Sequence, residues 1–378
     1  MVFAAIAAVL AICGVGYHLL CLWSASRFVR DSEKIELPDF TPPVSLLKPL
    51  RGADPEMYAA LRSHCVQDYP DCEIIFGVAD AGDPAAAMVK KLKHEFPDQR
   101  IELVECPRVL GSNLKVSNLV QMLPSARQPF LLINDSDIRV PSDYLRRIIA
   151  PMADSRVGMV TSMYRGVATG LWSKLEAIGI STDFIPGVLA ARQLQGMHFA
   201  LGATLAFPRQ RLEEIGGFEP LLDYLADDYE LGARIAATGH DVLLSDVVVD
   251  THLPNYSFGG FWRHQMRWAR GVRDARKWGY LGLAVTFALP WAVIALLLSK
   301  GTTWAWGVLA LAALSRMLVS LSVGKRVLQD SRLPRDLWLL PLRDFLALAI
   351  WMTSFFGRTV EWRGQRFSLR DGKLVAIR

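Results

Sequence analysis

The stretch FLLINDSDIRV, Phe130 to Val140, decides how this chain is read. Phe130 to Ile133 have the composition of a buried strand, yet they run straight into Asn134, Asp135, Ser136 and Asp137. Aspartate is a poor strand former and is costly to bury without a partner. One reason for two of them at a strand end is a polar turn in which Asn134 and Asp135 cap the following segment. The other is a hard divalent cation, because Mg²⁺ uses one or two carboxylates and completes its shell with substrate phosphate oxygens. A lone Asp-x-Asp does not choose between them.

The flanking sequence supplies the architecture. Residues 41–270 alternate strand and helix patterns, which predicts an α/β layered fold. VSLLKPL (44–50) reads as a first strand, followed by a helix with Asp54-Pro55 as its N-cap and first turn. CEIIFGVAD (72–80) is a second strand that ends on Asp80, and DPAAAMVKKLKHEF (83–96) is a helix opened by Asp83-Pro84. IELVEC (101–106) and NLKVSNLVQML (113–123) repeat the pattern. Acids thus close two strands, Asp80 on one and Asp135 with Asp137 on the other. In open α/β sheets, ligands bind outside those carboxyl ends. No GxGxxG follows a strand and there is no GxxxxGK[ST], so the usual phosphate cradles are missing. A diphosphate would have to be held through a metal on the acids.

Two later segments add chemistry. LLDYLADDYELGARIAATG (221–239) places Asp227 and Asp228 at the start of a helix whose apolar residues, Leu231, Ile235 and Ala236, recur at helical spacing. One acid can serve the helix dipole while the other faces the crevice as a general base. FWRHQMRWARGVRDARKW (261–278) reads as a helix dense in Arg and Trp, the composition of a membrane interface. Within it, Arg267 can also pair with diphosphate oxygens.

Composition fits a soluble layer with membrane segments at its ends. Of 378 residues 52% are hydrophobic and 21% charged, and the mean hydropathy is +0.23. The net charge of +5 is modest and the basic residues flank apolar runs, which excludes a nucleic-acid binder and points to a phospholipid bilayer. The five cysteines have no metal-ligand spacing, so three read as small core residues and disulfides are not expected. Residues 1–26 carry no Lys, Arg, Asp or Glu, enough to cross a ~30 Å hydrocarbon core as an uncleaved anchor. Arg27, Arg30 and Lys34 follow, which places the next domain in the cytosol. Leu281–Ser299 reads as one spanning helix with Pro290 inside it, and residues 302–324 return, with Arg316 in need of a partner. Leu337 to Phe356 is interrupted by Arg343 and Asp344. It reads as re-entrant or interfacial, leaving the basic tail RTVEWRGQRFSLRDGKLVAIR in the cytosol. The segment from Gly166 to Gly196, with Trp172, Phe184 and Ile185, reads as an amphipathic surface helix that admits a lipid.

In order along the chain, VSLLKPLRGADPEMYAAL, DYP (68–70), EIIFGVADAGDPA, NLKVSNL, NDSDIRV, GGF (216–218), ADDYELG and HQMRW resemble the membrane glycosyltransferases of the GT-A fold, specifically the ceramide glucosyltransferases. The resemblance implies an α/β GT-A domain over 41–270, between an N-terminal anchor (1–26) and a C-terminal membrane region (280–378). It implies that Asp80 contacts the nucleotide beside the Lys48–Asp54 loop, and that Asp135 and Asp137 form the metal and diphosphate site for Mg²⁺ or Mn²⁺. Some members carry Gly at the position of Asp137, which makes Asp135 the firmer assignment. Asp228 is then the catalytic base, with Asp227 beside it, and Lys115 a nucleotide-sugar ligand. Arg267 and Trp268 match the family's last motif. His264 departs from its Gln or Arg, with Gln265 next to it, which bears on acceptor choice. The implied reaction is inverting transfer from a UDP-sugar to a membrane lipid hydroxyl at a bacterial inner membrane. Ceramide is the leading acceptor and a polyol hopanoid (with UDP-N-acetylglucosamine) the alternative. A processive polysaccharide synthase would need more helices, and a non-catalytic sugar-nucleotide binder would not need Asp228.

Overall fold

Every residue of β1 (Val44–Pro49) and β2 (Cys72–Val78) is buried, so neither strand shows the alternation of a half-exposed one. The computed structural model describes residues 1–34, 37–54, 56–362 and 364–377. β1 and β2 lie in an eight-stranded mixed sheet with β3 (Arg100–Glu105), β4 (Phe130–Ile133), β5 (Ile138–Arg139), β6 (Val157–Val167), β7 (Leu205–Pro208) and β8 (Asp241–His252). The order is β3-β2-β1-β4-β7-β6-β8-β5. The first four strands in that order are parallel, and β7 runs antiparallel to both β4 and β6. Pro49 pairs with Gly77 and Leu47 with Ile133, so Lys48, Asp80 and Asp135 all emerge at one carboxyl edge.

Helices cover both faces of the sheet. Pro84–Glu95 starts as the sequence predicts, with Asp83 accepting from Ala85 N at 2.9 Å and proline in the first turn. The helix before it differs: Met57–Cys65 begins after Glu56, which takes a left-handed φ of 68°, so Asp54 is not its cap. Pro55 lies outside the described residues.

The apolar ends form a helical bundle. The anchor helix Val2–Ser32 packs against Ala288–Leu298 and Thr303–Leu321. At Gly14 a side chain would sit 2.7 Å from Ala288 Cβ, so glycine permits this close approach. Among the described residues three helices, Val2–Ser32, Thr303–Val327 and Leu333–Ser354, are long and apolar enough to cross a membrane. The single helix expected over Leu281–Ser299 is instead broken. Lys277–Thr286 and Ala288–Leu298 meet at 55°, and Pro290 falls in the first turn of the second piece, where its missing N–H costs no helical bond.

Leu171–Gly179, the π-turn Ile180–Phe184 and Ile185–Gln195 follow one another without a break. Leu175, Ile178, Ile185, Val188 and Leu189 are buried, so this segment is a wall between sheet and bundle rather than a surface helix. The basic tail, read only for its charge, folds into an antiparallel sheet of β9 (Thr359–Trp362), β10 (Gln365–Arg370) and β11 (Lys373–Ala376). Leu374 N donates to Asp223 O at 2.7 Å and Leu225 N to Gly372 O at 3.0 Å, which docks this sheet on the loop leading to Asp227. All five cysteines are free thiols.

Candidate active site

The edge of β4 is built around a buried lysine. Lys48 is fully buried and donates to the backbone carbonyl of Asp135 at 3.0 Å, with His64 Nε2 at 3.4 Å. Burial pulls its pKa down to about 7, against the opposing pull of Asp137 and Asp135. Asn134 is no turn cap. It is buried and donates to Ala203 O at 2.6 Å and Tyr144 Oη at 2.9 Å. These bonds fix the loop so that Asp135 faces outward.

Asp135 meets Asp227 and Asp228 through one lysine and one glycine. Asn113 caps the helix Leu114–Met122, accepting from Lys115 N and Val116 N at 3.0 and 3.2 Å. That cap starts Lys115 toward the crevice, where its ammonium lies 2.8 Å from Asp135 Oδ1 and 3.3 Å from Asp227 Oδ2. Its side chain is 11% exposed, which rules out a solvated helix-start residue. Burial would lower its pKa, but Asp135, Asp227 and Asp228 more than reverse this and hold it protonated. Asn113 also donates to Asp227 Oδ1 at 3.1 Å, so Asp227 is the acid committed to structure.

Asp228 opens the helix Asp227–Ala237, with Oδ1 accepting from Tyr229 N at 2.8 Å. Its other oxygen, Oδ2, points at Gly202. A side chain there would meet Asp228 Oδ2 at 2.9 Å and Asp135 Oδ2 at 3.6 Å. Both carboxylates therefore converge on one small space that glycine keeps open. Burial, then Asp227, pushes the Asp228 pKa up to about 6, with Lys115 opposing. Burial, then Asp135, does the same for Asp137, also to about 6.

Asp137 turns aside, its Oδ2 accepting from Thr251 Oγ1 at 2.5 Å. Asp135 pairs with Lys115 through Oδ1, while its Oδ2 faces the space at Gly202. No group of three or more His, Cys, Asp or Glu among the described residues makes a metal cage. Two hard carboxylates, in a group of four acids that also holds Lys48 and Lys115, fit a Mg²⁺-like ion that draws its other ligands from substrate. Asp80 stands apart from this group. It is exposed at the end of β2, accepting from Gly82 N at 2.6 Å.

The Arg-Trp helix, Phe258–Ala275, borders the site on the membrane side. His264 Nδ1 lies 3.0 Å from Oε2 of the buried Glu176, and its ring stacks on Tyr256 and tilts against Trp268, both at 5.4 Å. Gln265 accepts from Arg343 at 3.1 Å, and Arg267 lies 5.8 Å over the Trp362 ring. Trp268 packs on Phe184 and Phe184 on Tyr164. Burial, then Asp228, Glu176, Asp135 and Asp137, raises the pKa of the Tyr164 hydroxyl.

With this geometry in hand, the match to a family model decides kinship: the model of glycosyl transferase family 21 covers residues 6–375. The chain belongs to glycosyl transferase family 21. It is 26% identical over 255 residues to ceramide glucosyltransferase 3 of Caenorhabditis elegans, covering 67% of this chain and 55% of that protein. Identity to ceramide glucosyltransferase 1 of the same organism is 28%, over 57% of this chain and 47% of that one. The ceramide glucosyltransferase of Komagataella phaffii is 36% identical over 28% of this chain and 22% of its own length. The chain thus spans about half the length of the first two relatives. Its fold matches the mannosyltransferase PcManGT of Pyrobaculum calidifontis, solved with GDP-Man and Mn²⁺, with a TM-score of 0.63 and 22% identity over 94% of this chain and 99% of that one. The GT-A-like layer expected from the sequence is the observed one.

Sequence reasoning missed four residues that touch the candidate site residues in this structure: Asn113 beside Asp227, Gly202 beside Asp228 and Asp135, Thr251 beside Asp137 and Glu176 beside His264. Asn113 stood in the quoted NLKVSNL without a role. Glu176 left a signal, an acid in a mostly apolar segment, whereas Gly202 and Thr251 left none.

Proposed function

We propose that this chain is a membrane-bound inverting glycosyltransferase that moves a sugar from a UDP-sugar to a lipid hydroxyl, with UDP-glucose and ceramide as its substrates. The observation that carries the reading is the convergence of Asp228 Oδ2 and Asp135 Oδ2 on the space kept open by Gly202. The relatives' names support ceramide as acceptor.

Asp228 accepts the proton of the lipid hydroxyl as that oxygen attacks the anomeric carbon opposite the nucleotide. Its raised pKa makes it a stronger base than an exposed aspartate while leaving it ionised at neutral pH. Lys115 neutralises Asp135 and Asp227 and presents fixed positive charge to the diphosphate, with Arg267 supplying more from the motif helix. Asp80 contacts the nucleotide, and Trp268, His264 and Gln265 form the membrane-side rim where the acceptor enters. Mg²⁺ or Mn²⁺ held by Asp135 and Asp137 supplies, when bound, charge stabilisation to the leaving diphosphate.

In this reading residues 1–26 anchor the enzyme, 41–270 form the cytosolic catalytic domain, and 280–378 form the membrane region and tail. The test is expression in a bacterial host that makes no glycosphingolipid, fed ceramide, with mass spectrometry of its lipids. A new hexosylceramide supports the reading. An N-acetylhexosamine on a hopanoid polyol, or no new glycolipid, defeats it.

A further inference from the structure

The helix Leu333–Ser354 passes the length and hydropathy test for a membrane span, but both of its ends are tied to the catalytic layer. At its start Arg332 lies 3.5 Å from Asp250 of β8, and Lys174 lies 3.2 Å from Asp336. Just before it, Arg165 of β6 donates to Leu328 O and Gln329 O at 2.8 and 2.9 Å. At its far end Arg270 donates to Phe356 O at 2.7 Å and Arg273 to Gly357 O at 2.9 Å. These arginines also complement the negative end of the helix.

Its middle runs beside Phe258–Ala275. Phe261 clusters with Leu339 and Leu340, and Thr353 Oγ1 donates to Met266 Sδ at 3.5 Å. The neighbour carries Arg263, Arg267, Arg270 and Arg273, and an arginine at the bilayer centre is costly. Helices packed side by side share a direction, and the charged one is costly to carry across a bilayer. A crossing helix would also carry its end ~30 Å from its start, away from the layer that holds both. The distal end of the bundle lies elsewhere, at the exposed Lys300–Gly301 turn.

The outer face of Leu333–Ser354 and the residues just beyond it are unpartnered and apolar. Trp338, Leu342, Phe345, Met352 and Phe356 recur at helical spacing and are all exposed, whereas Leu340, Asp344, Leu348 and Ser354 are buried. We propose that this helix does not cross the membrane but lies in the plane of its surface, with that stripe immersed in the acyl chains of a phospholipid bilayer. The occupant follows from continuity, because the helix packs on the apolar hairpin piece Ala288–Leu298, and from Arg335 and Arg358 at its two ends, placed to meet anionic headgroups. Its inner face holds the catalytic layer, since Arg343 bonds Asp183 at 3.0 Å and Gln265 of the motif helix at 3.1 Å. The tail sheet then lies on the catalytic side.

The test uses the full chain with Cys13, the exposed native cysteine, replaced by alanine. Single variants Ser331→Cys, Arg358→Cys and Lys300→Cys are labelled with a membrane-impermeant maleimide in vesicles of each orientation. Ser331→Cys and Arg358→Cys should gain and lose labelling together, with Lys300→Cys showing the opposite pattern. Labelling of Ser331→Cys and Arg358→Cys in opposite orientations would overturn the proposal. A second pair, Arg335→Cys and Thr359→Cys, repeats the test should either loop variant misfold. A nitroxide at Phe345→Cys should report a depth near the headgroup boundary. A depth equal to that of one at Ile12→Cys, inside the anchor helix, would overturn it independently.

Discussion

Two ionic clusters in this molecule are built on opposite terms. On the membrane side, Arg316 donates to both oxygens of Asp344 at 2.7–3.1 Å and to Asp183, while Arg343 takes the other oxygen of Asp183 at 3.0 Å. Two arginines meet two aspartates, and Thr182 O takes a further bond at 2.5 Å. At the sheet edge, by contrast, four acids, Asp135, Asp137, Asp227 and Asp228, lie with two lysines: Lys115 pairs with Asp135 and Asp227, and Lys48 donates to the Asp135 backbone carbonyl. The first cluster is charge-balanced and closed. The second carries excess negative charge, and two of its carboxyl pKa values are driven up, first by burial and then by the neighbouring acids. A balanced cluster buried among helices fastens parts together. An unbalanced one facing a crevice is prepared to receive something positive along with its substrate.

Breaking each cluster in the same way should separate the two. Arg316→Met leaves Asp344 and Asp183 without their main partner, and removing one side of a buried pair costs about 3–5 kcal/mol. Thermal unfolding in nanodiscs should show a large loss that Mg²⁺ or Mn²⁺ does not restore, whereas Arg316→Met with Asp344→Leu should recover much of it. Lys115→Met should also destabilise the fold, but here added divalent cation should restore part of the loss, because the cation can take over part of the neutralising charge. Equal insensitivity of both variants to cation would remove the distinction between the clusters.

A smaller effect concerns pH. Asp228 must be ionised to act as a base, and its pKa is raised to about 6. Activity as kcat/KM should therefore fall as pH drops through about 6, since protonation removes the base. A profile flat to pH 4 would contradict this. Smaller still, Asn113→Ala removes a helix cap worth about 1 kcal/mol, and with it the hydrogen bond to Asp227. A stability loss of that size, with reduced turnover, is expected by calorimetry and assay.

Much of this was legible in the chain. The first four strands followed from their apolar runs, two of which end in acids, and Asp135, Lys115, Asp227 and Asp228 stand out in the sequence, although their convergence does not. What stayed hidden is tertiary. Gly202 matters because two carboxylates from distant segments approach its Cα, which no local pattern encodes. Arg316, Arg343 and Asp344 read as defects in apolar runs, and only packing shows that they bond one another and Asp183. The break after Thr286 was missed because Pro290 inside a long apolar run looks tolerable until the first turn is located. The tail sheet was missed because its charge drew notice ahead of the alternation in QRFSLR, whose Phe367 and Leu369 are buried on Leu374 and Val360.

The decisive measurement is turnover by Asp228→Asn, made beside UDP-sugar binding to the same protein. Loss of general-base assistance should lower kcat by ~10²–10⁴-fold with nucleotide affinity kept. Undiminished turnover by Asp228→Asn would show that the acid beside Gly202 is not the base, and that the chemistry lies elsewhere in the fold.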